Sequence, residues 1–384
     1  MIYLDNAATT FPKPGAVYRA LDICARRHGG NPGRGSHRLS SAAAAEIFSC
    51  REAAAELFHG SPENVVLTLN ATYALNLAIN AFFRSGGEIV ISGIEHNAVL
   101  RPVAATGAEY RIFDPSGGDD AAVSSFLSCL TPRTSLCVCN HVSNLCGLTL
   151  PVGRIGKICR ERGIKFIIDA SQSAGMRELD IGKCHADAVC APGHKGLYGI
   201  QGSGFVLFSD DCGGAAENLK GFVYGGNGVN SLETFMPDFL PERFEAGTLP
   251  TPAAASLSAG IRWVTSRGIR AVGEYEEYLG ERLKNGLLNI SGVTVYGAGY
   301  RGGTVLFNIG GISSERVGEM LDAEGICVRC GYHCCPLGHR LLGTGKGGAV
   351  RASFSALNSV RDADSLLRAV KNIAAEKRIT IIHP

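Results

Sequence analysis

Ala191-Pro192-Gly193-His194-Lys195-Gly196-Leu197-Tyr198-Gly199 sets a lysine in a glycine-rich turn. An apolar run that reads as a strand, Asp187-Ala188-Val189-Cys190, precedes it, and a second, Gly204-Phe205-Val206-Leu207-Phe208, follows. Glycine lacks a Cβ and tolerates unusual dihedrals, so the backbone beside this lysine lets a ligand approach closely. A loop lysine is ordinarily a solvated side chain. Upstream, however, Ile167-Ile168-Asp169-Ala170-Ser171-Gln172 ends a β-branched run on an aspartate. A strand-end carboxylate and a Gly-His-Lys turn are together what pyridoxal phosphate chemistry asks for. The lysine forms an imine, and the carboxylate keeps the pyridine nitrogen protonated so that the ring accepts electrons.

Outward from this pair the chain alternates. Strand-like runs at residues 64–69, 88–92, 110–113, 134–139 and 165–169 are separated by helix-like ones at 72–83, 97–105, 120–130 and 152–162. That order predicts right-handed crossovers and an α/β fold, a mostly parallel central sheet flanked by helices. Such sheets bind ligands beyond the C-terminal ends of their strands. Asp169, Asn70-Ala71-Thr72, His96 and Asn144 all fall there. Before this region lie an extended arm (1–14) broken by Pro12 and Pro14, a helix over 15–27, a glycine loop and an alanine-rich helix over 40–58. Beyond Gly247-Thr248-Leu249-Pro250-Thr251-Pro252 come helices at 253–266 and 272–288, then strands at 293–296 and 305–309. A helix at 314–324, strands at 326–329 and 350–354 and a closing helix complete a smaller α+β unit.

With 384 residues the chain is long enough for a large domain and a smaller companion. A formal charge of +2 without any Lys/Arg run argues against a nucleic-acid partner. No apolar stretch is long enough to span a bilayer, so no membrane partner is expected. The opening Met1-Ile2-Tyr3-Leu4-Asp5 has no basic region, apolar core or cleavage site, which predicts a cytoplasmic protein. Fourteen cysteines in such a chain are not expected to form a disulfide framework. Cys129, Cys137, Cys139, Cys159 and Cys190 lie in apolar runs, as small buried hydrophobes do.

Thr68-Leu69-Asn70-Ala71-Thr72 passes from strand to helix with Asn70 as N-cap. The free amides and dipole of a helix start attract an anion, and Thr72 adds a hydroxyl. His96, a short turn after a strand, either caps the next helix or covers a cofactor ring by stacking. Cys327-x-x-Cys330-x-x-x-Cys334-Cys335, with His333 and His339 nearby, has the ligand types of a zinc or iron–sulfur site. No second cysteine pair at finger-like spacing accompanies it. A single strand over 326–329 would also turn Cys327 and Arg329 to the face opposite Val328.

Tyr3-Leu4-Asp5-Asn6-Ala7-Ala8-Thr9-Thr10, Glu95-His96, His141-Val142-Ser143-Asn144, Asp169-Ala170-Ser171-Gln172, Gly193-His194-Lys195, Arg243-Phe244-Glu245-Ala246-Gly247-Thr248 and Arg329-Cys330-Gly331-Tyr332-His333-Cys334 occur in this order. Together they resemble the class V aminotransferase-fold pyridoxal phosphate enzymes of the cysteine desulfurase and selenocysteine lyase family, over nearly the whole chain. The resemblance implies the type I fold of pyridoxal phosphate-dependent transferases. Residues 15–251 would be the large cofactor-binding domain, and residues 1–14 with 252–384 a small domain carrying the catalytic-cysteine loop. It implies conversion of L-cysteine to L-alanine with sulfur passed as a persulfide to an acceptor. Selenocysteine lysis and ordinary class V transamination are the alternatives.

By the same resemblance Lys195 is the imine lysine and proton shuttle, Asp169 the pyridinium partner, and Gln172 the donor to the phenolic oxygen. His96 is the stacking ring and a proton carrier. Ala71, Thr72 and His194 cradle the phosphate, and Thr248 reaches the phosphate of the other subunit, implying a homodimer. Asn144 and Arg351 hold the substrate carboxylate; the arginine fork matches it bidentately. Cys334 is the nucleophile, on a loop that Gly331 makes flexible, with Arg329 and His333 favouring its thiolate. Pro192 stands where the family has a hydroxyl, so one phosphate hydrogen bond is missing or replaced. Cys335 either accepts a migrating persulfide or is a packed residue. The short segment between Cys334 and Arg351 resembles the subgroup that passes sulfur to a partner protein.

Overall fold

The structure, a computed structural model, describes residues 1–33 and 35–382, with side chains described as far as residue 375. Its strands begin with β1 (Ile2–Tyr3), β2 (Val65–Thr68), β3 (Glu88–Ser92), β4 (Tyr110–Phe113), β5 (Thr134–Asn140), β6 (Lys165–Asp169), β7 (Ala188–Pro192) and β8 (Gly204–Phe208). The C-terminal part adds β9 (Val293–Tyr296), β10 (Thr304–Ile309), β11 (Ile326–Cys327), β12 (Arg329–Gly331) and β13 (Ala349–Ser353). The central sheet has the order β2-β8-β7-β6-β5-β3-β4. Only β8 runs against its neighbours; the remaining pairs are parallel. The reason is the length of the connection. Residues 193–203 between β7 and β8 are too few for a crossover helix, so the chain must turn back. The Lys195 turn is therefore made by a strand reversal at the sheet's C-terminal rim.

Every residue of β3, β7 and β8 is buried. Helices cover both faces, which is why these strands read as continuous apolar runs and not as alternation. Val90, Ile168 and Val189 enter one core layer, and Ile91, Ile167 and Cys190 the other. A four-stranded antiparallel sheet, β12-β13-β10-β9, forms a second unit with its own core around Leu279, Phe307, Val317 and Leu366. The N-terminal arm belongs with this unit: β1 pairs in parallel with β11, and Ser353 N donates to Leu4 O at 2.7 Å. Helix Thr251–Arg267 joins the two parts. It packs on helices Gly15–Arg27 and Arg38–Phe58 and sends Ala254, Leu257 and Ile261 into the core of the large sheet.

One sequence-based strand is wrong in detail. Residues 326–329 do not form a single strand: the chain breaks at Val328, which packs on the small core, and β11 and β12 serve different sheets. Strand alternation therefore does not relate Cys327 to Arg329.

Candidate active site

Asp169 closes β6 and is nearly fully buried; its Oδ1 accepts from Ser171 N at 2.9 Å. Lys195 lies in the β7–β8 turn, where the N-terminal arm holds the backbone in place. His194 O accepts from Thr10 N (3.0 Å) and Lys13 Nζ (2.8 Å), and Lys195 O from Thr10 Oγ1 (3.1 Å). Among the described residues nothing bonds the Lys195 amine. Burial and the cations Arg351 and Arg329 pull its pKa down to about 8, although Asp169 works the other way.

Elsewhere in the wall of the same cavity, Asn70 caps helix Ala71–Phe82 by accepting from Tyr73 N at 3.0 Å. The amides of Ala71 and Thr72 keep no partner among the described residues, so the positive end of the helix is open to an anion. Its placement depends on Gly204 in β8, where a Cβ would meet Asn70 Cα at 2.8 Å.

His96 caps the next helix, Asn97–Ala105, as one of its two readings expects: its Nδ1 accepts from Ala98 N at 3.0 Å, and its ring also faces the cavity. Burial first, then the charge of Lys195, holds it neutral, with a pKa of about 4. His194 is neutral for the same causes, also at about 4, and its Nδ1 is buried without a partner among the described residues. Gln172 donates to Ala7 O at 2.8 Å, which uses one of its two amide hydrogens.

Arg351 on β13 donates to Asn144 O at 3.1 Å and to Asp5 Oδ1 at 2.8 Å. It sits directly opposite Arg329 on β12. Like charges facing each other across strands are unfavourable. An anion near both would relieve that; Asp5 supplies a counter-charge to Arg351. Arg351 Nε and Asn144 Oδ1 remain buried without partners among the described residues.

Ala71, Thr72, His96, Asn144, Asp169, Gln172, His194, Lys195 and Arg351 thus line one cavity of about 290 Å³, together with Pro192, Arg329 and His333. Cys334 is exposed on the next residue along from His333. Thr248 is not in this cavity. It is exposed in a separate cleft of about 390 Å³ with Arg51, Asn227 and Glu245.

The Cys334 loop departs from the sequence reading. It is tied down: Asn97 N donates to Cys334 O (2.7 Å), Asn144 Nδ2 to His333 O (3.0 Å) and Cys335 Sγ to Ile94 O (3.4 Å). Helix Pro336–Leu342 follows at once. His333 brings no positive charge to the thiol, because burial and Arg351 push its pKa to about 3. Cys335 is fully buried and its thiol is pushed up to about 12, so it packs as a small hydrophobe. Among the described residues no three His, Cys, Asp or Glu side chains converge as metal ligands. Cys330 instead turns its sulfur against Gly318. Sequence reasoning gave no role to Asp5 or Lys13. Asp5 stands inside the quoted Tyr3–Thr10 motif, but only the fold brings the arm to Arg351.

The central sheet thus carries a lysine turn at its rim, and the antiparallel unit brings Arg329 and Arg351 to the same cavity. The model described as aminotransferase class-V matches residues 2–366, and the chain belongs to that family. A Methanothermobacter thermautotrophicus protein named a probable cysteine desulfurase is 31% identical over 97% of this chain and 94% of its own length. A Synechocystis protein of the same name is also 31% identical, over 97% and 90%. Among solved structures, an apo cysteine desulfurase from Thermococcus onnurineus has a TM-score of 0.88 at 31% identity, covering 98% of this chain and 95% of that one. The cysteine desulfurase CsdA from Escherichia coli has a TM-score of 0.85 at 25% identity, covering 97% and 94%. No helix among the described residues is long and apolar enough to cross a membrane.

Proposed function

We propose that the protein is a pyridoxal phosphate-dependent cysteine desulfurase, which converts L-cysteine to L-alanine and carries the sulfur on Cys334 as a persulfide. One juxtaposition supports this most: Lys195, Asp169 and the partnerless amides of Ala71 and Thr72 share a cavity whose rim bears an exposed thiol. The donor set fits the cofactor. Asp169 would hold the proton of the ring nitrogen, His96 would lie against the ring, and Gln172 would donate to the phenolic oxygen. Ala71, Thr72 and the partnerless His194 would take the phosphate, and Lys195 the aldehyde. When bound, the cofactor supplies an electron sink for the pair released at the substrate's α-carbon.

The chain's own residues do the rest. Arg351 and Asn144 orient the substrate carboxylate, which replaces Asp5 as the partner of the guanidinium. Lys195, with its lowered pKa, takes the α-proton and returns it. Cys334 attacks the substrate sulfur as a thiolate. The S–S bond forms as the Cβ–S bond breaks, the pair goes to carbon and a proton follows, so cysteine and thiol become alanine and persulfide.

Thr248 would reach the phosphate of a partner subunit, in a homodimer. Residues 15–251 would form the large domain and residues 1–14 with 252–384 the small one, with helix Thr251–Arg267 as the joint. The cysteines are free thiols, which suits a reducing compartment, and we place the protein in the cytoplasm. The sulfur acceptor is a protein or a small thiol.

Cofactor-loaded protein given L-cysteine and a dithiol should release alanine and sulfide. Cys334→Ala should keep the cofactor's visible absorbance and lose sulfide release; undiminished sulfide from that variant would remove Cys334 as nucleophile. Lys195→Ala making alanine at the normal rate would end the reading altogether. A rate on L-selenocysteine far above that on L-cysteine would change the substrate.

A further inference from the structure

His333 and Cys334 are consecutive non-glycine residues with φ of 50° and 54°. L-residues visit this left-handed region at a cost, and rarely twice in a row. Something must hold the pair there. A hydrogen-bonded chain of buried side chains spans both flanks of the cysteine. Thr344 Oγ1 lies 2.8 Å from His339 Nδ1, His339 Nε2 3.1 Å from His333 Nδ1, and His333 Nε2 3.3 Å from Arg329 O. Both rings and Thr344 are nearly fully buried.

The direction of this chain follows from its end. A carbonyl only accepts, so His333 Nε2 carries the hydrogen and its Nδ1 is bare. His339 must then donate from Nε2, and Thr344 donates to His339 Nδ1. Every link is satisfied with both rings neutral; burial favours that state first, helped by Arg351 beside both rings and by Arg329 beside His333. Tyr332 closes the loop from outside: its ring meets His339 edge-on at 5.3 Å, and its hydroxyl accepts from Gly347 N at 3.0 Å.

We propose that His339, acting through His333, is a positioning residue that holds the Cys334 loop in its strained shape at the cavity rim. The inference rests on the reading of Cys334 as nucleophile. It gives a use to a histidine that stands outside the cavity lining.

The test uses cofactor-loaded His339→Ala and His339→Gln. Leaving His333 Nδ1 unsatisfied should lower kcat for alanine formation about tenfold, with KM for cysteine and the cofactor's absorbance within about twofold. Gln offers an N–H near the position of Nε2 and should recover kcat to within about threefold of wild type. Peptide-resolved alkylation with iodoacetamide should change several-fold at Cys334 in the Ala variant alone, with buried Cys137 and Cys190 still protected. A kcat within twofold of wild type for His339→Ala, or equal losses for Ala and Gln, overturns the proposal. Should His339→Ala expose Cys137 and Cys190, Thr344→Val decides: a fall in kcat of about threefold supports the chain, and an unchanged kcat overturns it. Wild type that makes no alanine refutes the desulfurase reading instead, and the alkylation arm still reports on the loop.

Discussion

Lys195 should be far more nucleophilic at neutral pH than a free lysine. Burial and the two cavity arginines bring its pKa to about 8, against about 10.4 for the free side chain. At pH 7 about one amine in eleven is then neutral, compared with about one in 2,500 for a free lysine, an advantage of about 200-fold. Reductive methylation of cofactor-free protein, followed peptide by peptide by mass spectrometry with N-acetyl-lysine amide in the same tube, measures this directly. The Lys195 rate should climb with pH and level off above about 8, while the standard keeps rising toward about 10.4. A Lys195 midpoint above 10 would refute the electrostatic account of the cavity. The sign for stability follows from proton counting. Below about pH 8 both states hold the proton, and the folded state bears the full penalty, about 3 kcal/mol before cavity water screens it. Between about 8 and 10.4 the unfolded chain binds more protons, so stability rises with pH. Lys195→Met should therefore melt higher than wild type at pH 7, by a margin that shrinks through that window.

Gly204→Ala puts a Cβ against the backbone of Asn70 at 2.8 Å and must move the helix cap. Pyridoxal phosphate titration by absorbance should show affinity reduced about tenfold or more, as expected when a bound anion loses its amides. Arg351→Lys keeps the charge but loses the fork, and KM for cysteine should rise about tenfold with cofactor absorbance unchanged. Arg51→Met leaves buried Glu245 with only the Leu67 amide as partner. Burial already holds that carboxyl at about 7, so a proton replaces the cation cheaply. Urea denaturation should then show a loss below the ~3–5 kcal/mol of a typical broken buried pair. Because the folded state binds the extra proton, that loss should be larger at pH 8 than at pH 6.

Much of this molecule was legible from residue order. Strand runs such as Glu88–Ser92 and Lys165–Asp169 are bounded by turn residues, and their apolar content follows from burial on both faces. The Asp169–Lys195 pair was readable because strand ends and glycine turns have local signatures. The reversal of β8 was equally implicit, in a connection too short to cross over. Local pattern did not separate β11 from β12, because a two-residue strand has no period of its own and its partner β1 lies at the far end of the chain. Nor did it show His333 as neutral: the ring's charge state is set by buried neighbours, Arg351 among them, that come from other strands. The sequence by itself therefore determined the layered α/β class and the residue types available for chemistry, since hydrophobic period and turn chemistry are local properties. Only the tertiary structure decided which of those residues share a cavity, which carry charge, and how the Cys334 loop is held. Those depend on dielectric, on distance and on contacts between segments hundreds of residues apart, such as Asp5 with Arg351.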